Sequence, residues 1–216
     1  MVIEKPILVD DSSASWYNII CVVVIMDLKE FKHVDVFPTR IHVAENFLDK
    51  EEFEKIKELV QEDKKHLDIP DFERKVMMHM GLICDNLGID ISAYTQVEIT
   101  ETWGNVLEEH QDHPIHTHSN HVFSGVFYLT TGNPTVFMDP RPAADCLTFT
   151  TKDDFNDFYG GTITSSAVPN NLILFPSWLS HMVHVNKTSI VRKSISFNII
   201  LRGKYGNTDS RQEVTL

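Results

Sequence analysis

The chain reads as a mainly β protein with N-terminal helices, a double-sheet jelly roll. Three observations predict this. Apolar residues recur at steps of three and four up to Leu87, and from Tyr94 onward the period changes to two. The strand-like runs are short, and Gly, Pro and Asn punctuate them at close intervals. No segment repeats and none is of low complexity.

The elements follow in order. Residues 1–35 read as an N-terminal extension, and its apolar run Ile19–Ile25 is too short to cross a bilayer. That run lacks the basic flank and small-residue cleavage site of a signal peptide, and a buried strand fits it as well. Met26 opens a cleaner sequence, so residues 1–25 are as readily dispensable as required. Asp49 with Glu52 three positions on makes a capping box, and Phe53, Ile56, Leu59 and Val60 continue a helix to about Lys65. Pro70 starts a second helix carrying Phe72, Val76, Met80, Ile83 and Leu87, with Gly88 as its stop. Each helix is apolar on one face only, so both are expected to lie against the outside of a sheet.

Strands are expected around Val97–Thr100, Val122–Thr131, Thr135–Asp139, Leu147–Thr151, Thr162–Val168, Leu172–Phe175 and Val191–Leu201. The main domain then spans 36–203. Residues 152–161 read as an exposed acidic loop at the barrel mouth, and 204–216 as a polar tail that frays.

A chain of 216 residues with 42% apolar residues supports one well-packed domain. A net charge of −12, with no block of Lys or Arg, argues against nucleic acid as the main partner. Cys21, Cys84 and Cys146 are scattered and form no CxxC pair, which points away from a disulfide framework and toward a reducing, cytosolic setting. No membrane partner is expected, and oligomeric state is not encoded in any legible feature.

The chemistry concentrates in HQDHPIHTHSNH, residues 110–121. In extended chain His116 and His118 point to one side, so both imidazoles can reach a single ion. The pair directly precedes the apolar strand Val122–Leu129, which would hold it rigidly. Imidazole suits Fe, Zn and Cu. His181 follows an apolar strand and a Pro-Ser turn, with His184 three residues on as a competing candidate.

Along the last strand Arg192, Ser194, Ser196 and Asn198 alternate with Lys193, Ile195, Phe197 and Ile199. If the apolar face packs on the helices, the polar face lines the barrel, and a buried Arg there requires an anion. A guanidinium grips a carboxylate through parallel hydrogen bonds, and a serine hydroxyl two residues on adds another. The hydroxyl of Tyr128 is a further candidate for that carboxylate. Gly125 in the same strand marks close backbone approach. Asp139, before Pro140, is a turn-former and also a spare carboxylate ligand. Trp103 and Trp178 read as core or cavity wall, and Glu108, Glu109 and Asp112 as a solvated loop.

Together VFPTRI (36–41), WGNV (103–106), HTHSNHVFSGVFYL (116–129), FMDPR (137–141) and LILFPSWLSHMVHVN with VRKSISFN (172–198) resemble the 2-oxoglutarate- and Fe(II)-dependent oxygenases. The likeness is to the group common in marine bacteria and their phages. It implies a distorted double-stranded β-helix, cupin-like, with helices packed on its larger sheet. It implies His116 and His181 as metal ligands, Arg192 with Ser194 as the clamp on the far carboxylate of 2-oxoglutarate, and Tyr128 at a further cosubstrate contact. The implied cofactors are Fe(II) and the cosubstrate 2-oxoglutarate. The implied activity is a dioxygenase that hydroxylates an unidentified small molecule or side chain and releases succinate and CO2 in the cytoplasm of a bacterial or phage-infected cell.

One departure matters. Where most such enzymes carry Asp or Glu two residues after the first His, this chain has His118. Either His118 completes a three-histidine site, or Asp112 or Asp139 supplies a carboxylate, or the position is vacant. Two other readings stay open: a cupin-like metalloenzyme with three histidines and no keto-acid cosubstrate, and a non-catalytic phage-type binding module. Cavity walls would come from loops near 104–115 and 140–160.

Overall fold

The computed structural model describes residues 39–141, 161–205 and 212–214, all within the compact unit Thr39–Leu216. The apolar run at 19–25, the expected strand over Leu147–Thr151 and nearly all of the acidic loop lie outside the described residues.

Two antiparallel sheets face each other behind a pair of helices. In chain order the elements are β1 (His42–Ala44), α1 (Lys50–Leu59), α2 (Pro70–Leu87), a short 3-10 turn at Ile91–Ala93, and β2 (Tyr94–Leu107). There follow β3 (His113–His116), β4 (Phe123–Tyr128), β5 (Val136–Met138), β6 (Thr162–Thr164) and β7 (Leu172–Pro176). The last are β8 (His181–Val183), β9 (Arg192–Tyr205) and β10 (Gln212–Val214). The larger sheet runs β1-β7-β4-β9-β10, with β2 also paired to β9, and the smaller runs β3-β8-β5-β6. That is the double-sheet jelly roll expected from the alternating strands.

The helices form as their caps dictate. Asp49 accepts from the Glu52 amide, and the Glu52 side chain accepts from the Asp49 amide, closing the capping box. The first helix stops at Leu59, short of the expected Lys65. Backbone pairing wins there: Lys64 exchanges hydrogen bonds with Gly104, and the Leu67 amide donates to the Thr102 carbonyl. Helix α2 opens on Pro70 at its first turn and ends where Gly88 takes φ +69°. Its buried stripe is Phe72, Val76, Met80 and Cys84, so Cys84 fills the place expected of Ile83.

Phe72 packs edge-on to Phe197 and tilted on Phe127, joining α2 to β9 and β4. Ile195, Phe197 and Ile199, the apolar alternates of β9, lie in that core, as the alternation required. Gly125 of β4 faces the Phe197 ring; a Cβ there would sit 2.2 Å from its Cζ. Small size at this position is what lets the two strands and the ring coexist.

The C-terminal expectation is corrected. Strand β9 continues to Tyr205, and the described tail residues Gln212–Val214 pair back onto Gly203–Tyr205 as an added strand. Strands β1, β3 and β8 are only three or four residues long, too short for an alternation pattern to mark them.

Candidate metal and cosubstrate site

Three imidazoles from distant parts of the chain meet between the sheets. His116 ends β3 and His181 opens β8, and the two are direct partners in the antiparallel register. His118 lies just past β3, where its amide donates to the Ser177 carbonyl in the turn after β7. The candidate ligand atoms of His116, His118 and His181 all lie within 4.8 Å of one another.

The chemistry of this donor set fits a metal ion. The Nδ1 atoms of His116 and His181 contact the carbonyls of Pro114 at 2.7 Å and Leu179 at 2.9 Å. A carbonyl only accepts, so each Nδ1 carries the proton and each Nε2 presents a lone pair. Nε2 of His118 lies 3.3 Å from Nε2 of His181. Two imidazole nitrogens sharing an ion at bonds of about 2.1 Å stand about 3.0–3.4 Å apart. Burial pushes His118 and His181 down to about 4, with the neighbouring histidines adding in the same direction, so both rings are neutral near pH 7. Neutral imidazole is the ligating form.

Arg192 occupies the other end of the same cavity. Its side chain is 2% exposed. Nε donates to the Asn133 carbonyl and Nη1 to the Ser194 hydroxyl, both at 2.8 Å, and the guanidinium lies 5.4 Å from the Tyr128 ring centre. No Asp or Glu among the described residues pairs with it. Burial lowers its pKa, and Tyr128 opposes that shift. The histidines, Arg192 and Ser194 line one cavity of about 340 Å³.

The remaining sequence candidates separate cleanly. His184 takes no part in the histidine group; its carbonyl accepts from Asn133. Asp139 is committed to Arg141 through two side-chain hydrogen bonds, and this pairing holds its carboxyl below the usual range. Asp112 is exposed, and the histidine group contains no carboxylate. The Tyr128 hydroxyl contacts the hydroxyls of Thr135 at 2.8 Å and Ser165 at 2.7 Å, and Thr135 lines the cavity. Trp103 does line the cavity, its Nε1 donating to Asn105, whereas Trp178 is 57% exposed and belongs to neither core nor wall. Glu108, Glu109 and Asp112 are solvated as expected.

Sequence reasoning missed His113, Asn105 and Thr135 as lining residues. Asn105 was signalled: it follows Trp103 at period two in a strand whose far end is buried.

Residues 101–198 match the family model described as "Putative 2OG-Fe(II) oxygenase". The fold is similar to HygX from Streptomyces hygroscopicus, crystallised with nickel and 2-oxoglutarate bound. That comparison has a TM-score of 0.54 at 11% identity and covers 82% of this chain and 91% of that one. A Pseudomonas putida prolyl-4-hydroxylase gives 0.54 at 12% identity over 76% and 94% of the two chains. A 2OG-Fe(II) oxygenase family oxidoreductase from Burkholderia pseudomallei gives 0.51 at 12% identity over 74% and 84%. No curated protein matches the sequence. At these identities the structural likenesses speak for the fold.

Proposed function

We propose that the chain, whose residues 101–198 match a 2OG-Fe(II) oxygenase family model, holds Fe(II) through His116, His118 and His181 and anchors 2-oxoglutarate on Arg192 and Ser194. The observation that carries this reading is the buried guanidinium, without an acidic partner among the described residues, in the same cavity as three converging imidazoles. A desolvated cation is costly unless an anion completes it. A three-histidine site without a keto-acid cosubstrate would leave that cost uncompensated.

Bound in this cavity, Fe(II) with 2-oxoglutarate and oxygen supplies oxidation of a substrate C–H bond coupled to release of succinate and CO2. The chain's own part is orientation and exclusion of water. Carbonyls of Pro114 and Leu179 fix the tautomers of two ligands. Ser194 and Asn133 fix the plane of the guanidinium. Val126 and Phe175 give the cavity an apolar wall. Three imidazoles holding the ion would bring no carboxylate to it from the described residues.

The substrate is a small molecule or an exposed side chain, and hydroxylation is the outcome. Low basic content argues against nucleic acid as that substrate. Among the described residues no helix is long and apolar enough to cross a membrane. The scattered cysteines favour a cytosolic setting.

Anaerobic titration with Fe(II) and then 2-oxoglutarate tests the assignment. The wild type should develop a weak visible charge-transfer band, His181→Ala should lose the metal, and Asp139→Asn should retain both metal and band. A wild type that binds no metal, or a band lost in Asp139→Asn, overturns the ligand set.

A further inference from the structure

His113 stands three residues before His116, and ordinary strand alternation would turn the two rings to opposite faces. The register of β3 against β8 breaks between them: His113 pairs with Val183 and His116 with His181, three residues on one strand against two on the other. This β-bulge resets the parity and re-aims a side chain. Both histidines consequently line the cavity, while Ile115 between them is 59% exposed.

Strand β8 orders the cavity along its length. His181 marks the metal end, and Val183, opposite His113, comes next. Beyond it the carbonyls of His184 and Val185 accept from the Asn133 amide, and the Asn133 carbonyl accepts from Arg192 Nε. His113 therefore lies between the three converging imidazoles and the guanidinium. Among the described residues its ring has no hydrogen-bond partner and sits outside the metal-ligating group. Burial and then Arg192 lower its pKa, which leaves a neutral ring with one N–H to give.

We propose that His113 is a second binding residue for the far carboxylate of 2-oxoglutarate, donating an imidazole N–H beside Arg192. This rests on the assignment of Arg192 and the three histidines given above. His113, the three histidines and Arg192 line the cavity that 2-oxoglutarate would occupy. The bulge, which otherwise costs β3 a regular ladder, is what places the ring there.

Calorimetric titration of nickel-loaded protein with 2-oxoglutarate tests this. A hydrogen bond to a charged group is worth about 10- to 100-fold in affinity. His113→Phe, with His113→Leu as a second variant in case the first fails to fold, should bind 2-oxoglutarate weaker by that factor at unchanged nickel content. His113→Gln, which keeps a neutral donor, should recover most of the loss. 2-Oxobutyrate lacks the far carboxylate and should bind wild type and His113→Phe alike. Unchanged 2-oxoglutarate affinity in His113→Phe and His113→Leu, with Arg192→Met impaired, overturns the His113 contact and leaves the Arg192 anchor standing. Loss of nickel in the His113 variants overturns it by making His113 a ligand. An equal loss for 2-oxobutyrate overturns it by moving the contact to the keto-acid end. A wild type that binds no 2-oxoglutarate removes the underlying assignment itself.

Discussion

Replacing Arg192 by Met separates what this residue does for binding from what it costs the fold. The guanidinium is 2% exposed, makes two hydrogen bonds within the protein and has no acidic partner among the described residues. A buried ion without a partner carries a penalty of several kcal/mol, whereas each hydrogen bond it makes returns about 1.5–3 kcal/mol. Met fills the channel of the arginine stem with no charge to desolvate. Metal-free Arg192→Met should then be as stable as wild type or up to about 3 kcal/mol more stable. Removing one member of a desolvated charge pair costs about 2–5 kcal/mol of binding, so 2-oxoglutarate affinity should fall at least about 30-fold. Urea unfolding of chelator-treated protein reads the first quantity, and titration of nickel-loaded protein the second. A variant that loses more than about 2 kcal/mol of stability and keeps its affinity would refute the reasoning, because the guanidinium would then be satisfied by the protein itself.

Gly125→Ala places a Cβ 2.2 Å from Cζ of the fully buried Phe197 and should cost about 1–3 kcal/mol, read as a lower thermal midpoint; Phe197→Leu in the same chain should make the added cost of the alanine smaller than in wild type. In metal-free protein, His118 and His181 titrate at about 4 when folded against 6.5 when unfolded, so the unfolded chain takes up protons first as pH falls. Their contribution is complete above about pH 6.5 and is lost on acidification to about 4, by about 3 kcal/mol for His181 alone. A urea midpoint that stays flat between pH 7 and 4.5 contradicts this, and His181→Ala should shallow the slope.

The legible parts of the sequence were those governed by local chemistry. Asp49 with Glu52, Pro70 and Gly88 set the helix ends through caps, which depend on residues within one turn. The alternation from Arg192 to Ile199 was long enough to assign its two faces, and burial of Arg192, Ser194 and Asn198 opposite Ile195, Phe197 and Ile199 follows from it. Features set by pairing between distant strands were not legible. The end of α1 depends on Lys64 meeting Gly104, and the tail's order depends on Gly203–Tyr205 offering an edge. The orientation of His113 depends on a register shift in a strand of four residues, which no periodicity announces. Even His116 and His118, expected to share one face of one strand, converge differently: only His116 is in β3, and His118 is held by the turn at Ser177.

The absence of a carboxylate from the histidine group changes the charge balance of the cavity. With three imidazoles as the proposed ligands, the described residues contribute no negative charge to the ion, and among them the other ionic group in the cavity wall is the Arg192 cation. Asp139, the nearest sequence alternative, has spent its charge on Arg141. A divalent ion and a guanidinium together present three positive charges to a cosubstrate carrying two negative ones. An Asp or Glu ligand in place of His118 would bring these into balance. In a cavity walled by Val126 and Phe175, screening is weak, so this excess acts on the dianion more strongly than it would in water. The three-histidine arrangement thereby favours dianion capture from a chain whose net charge of −12 would otherwise repel it. If His118 is a ligand as proposed, its neutral ring and the buried arginine act on the dianion together, and the identity of residue 118 sets how tightly Arg192 binds it.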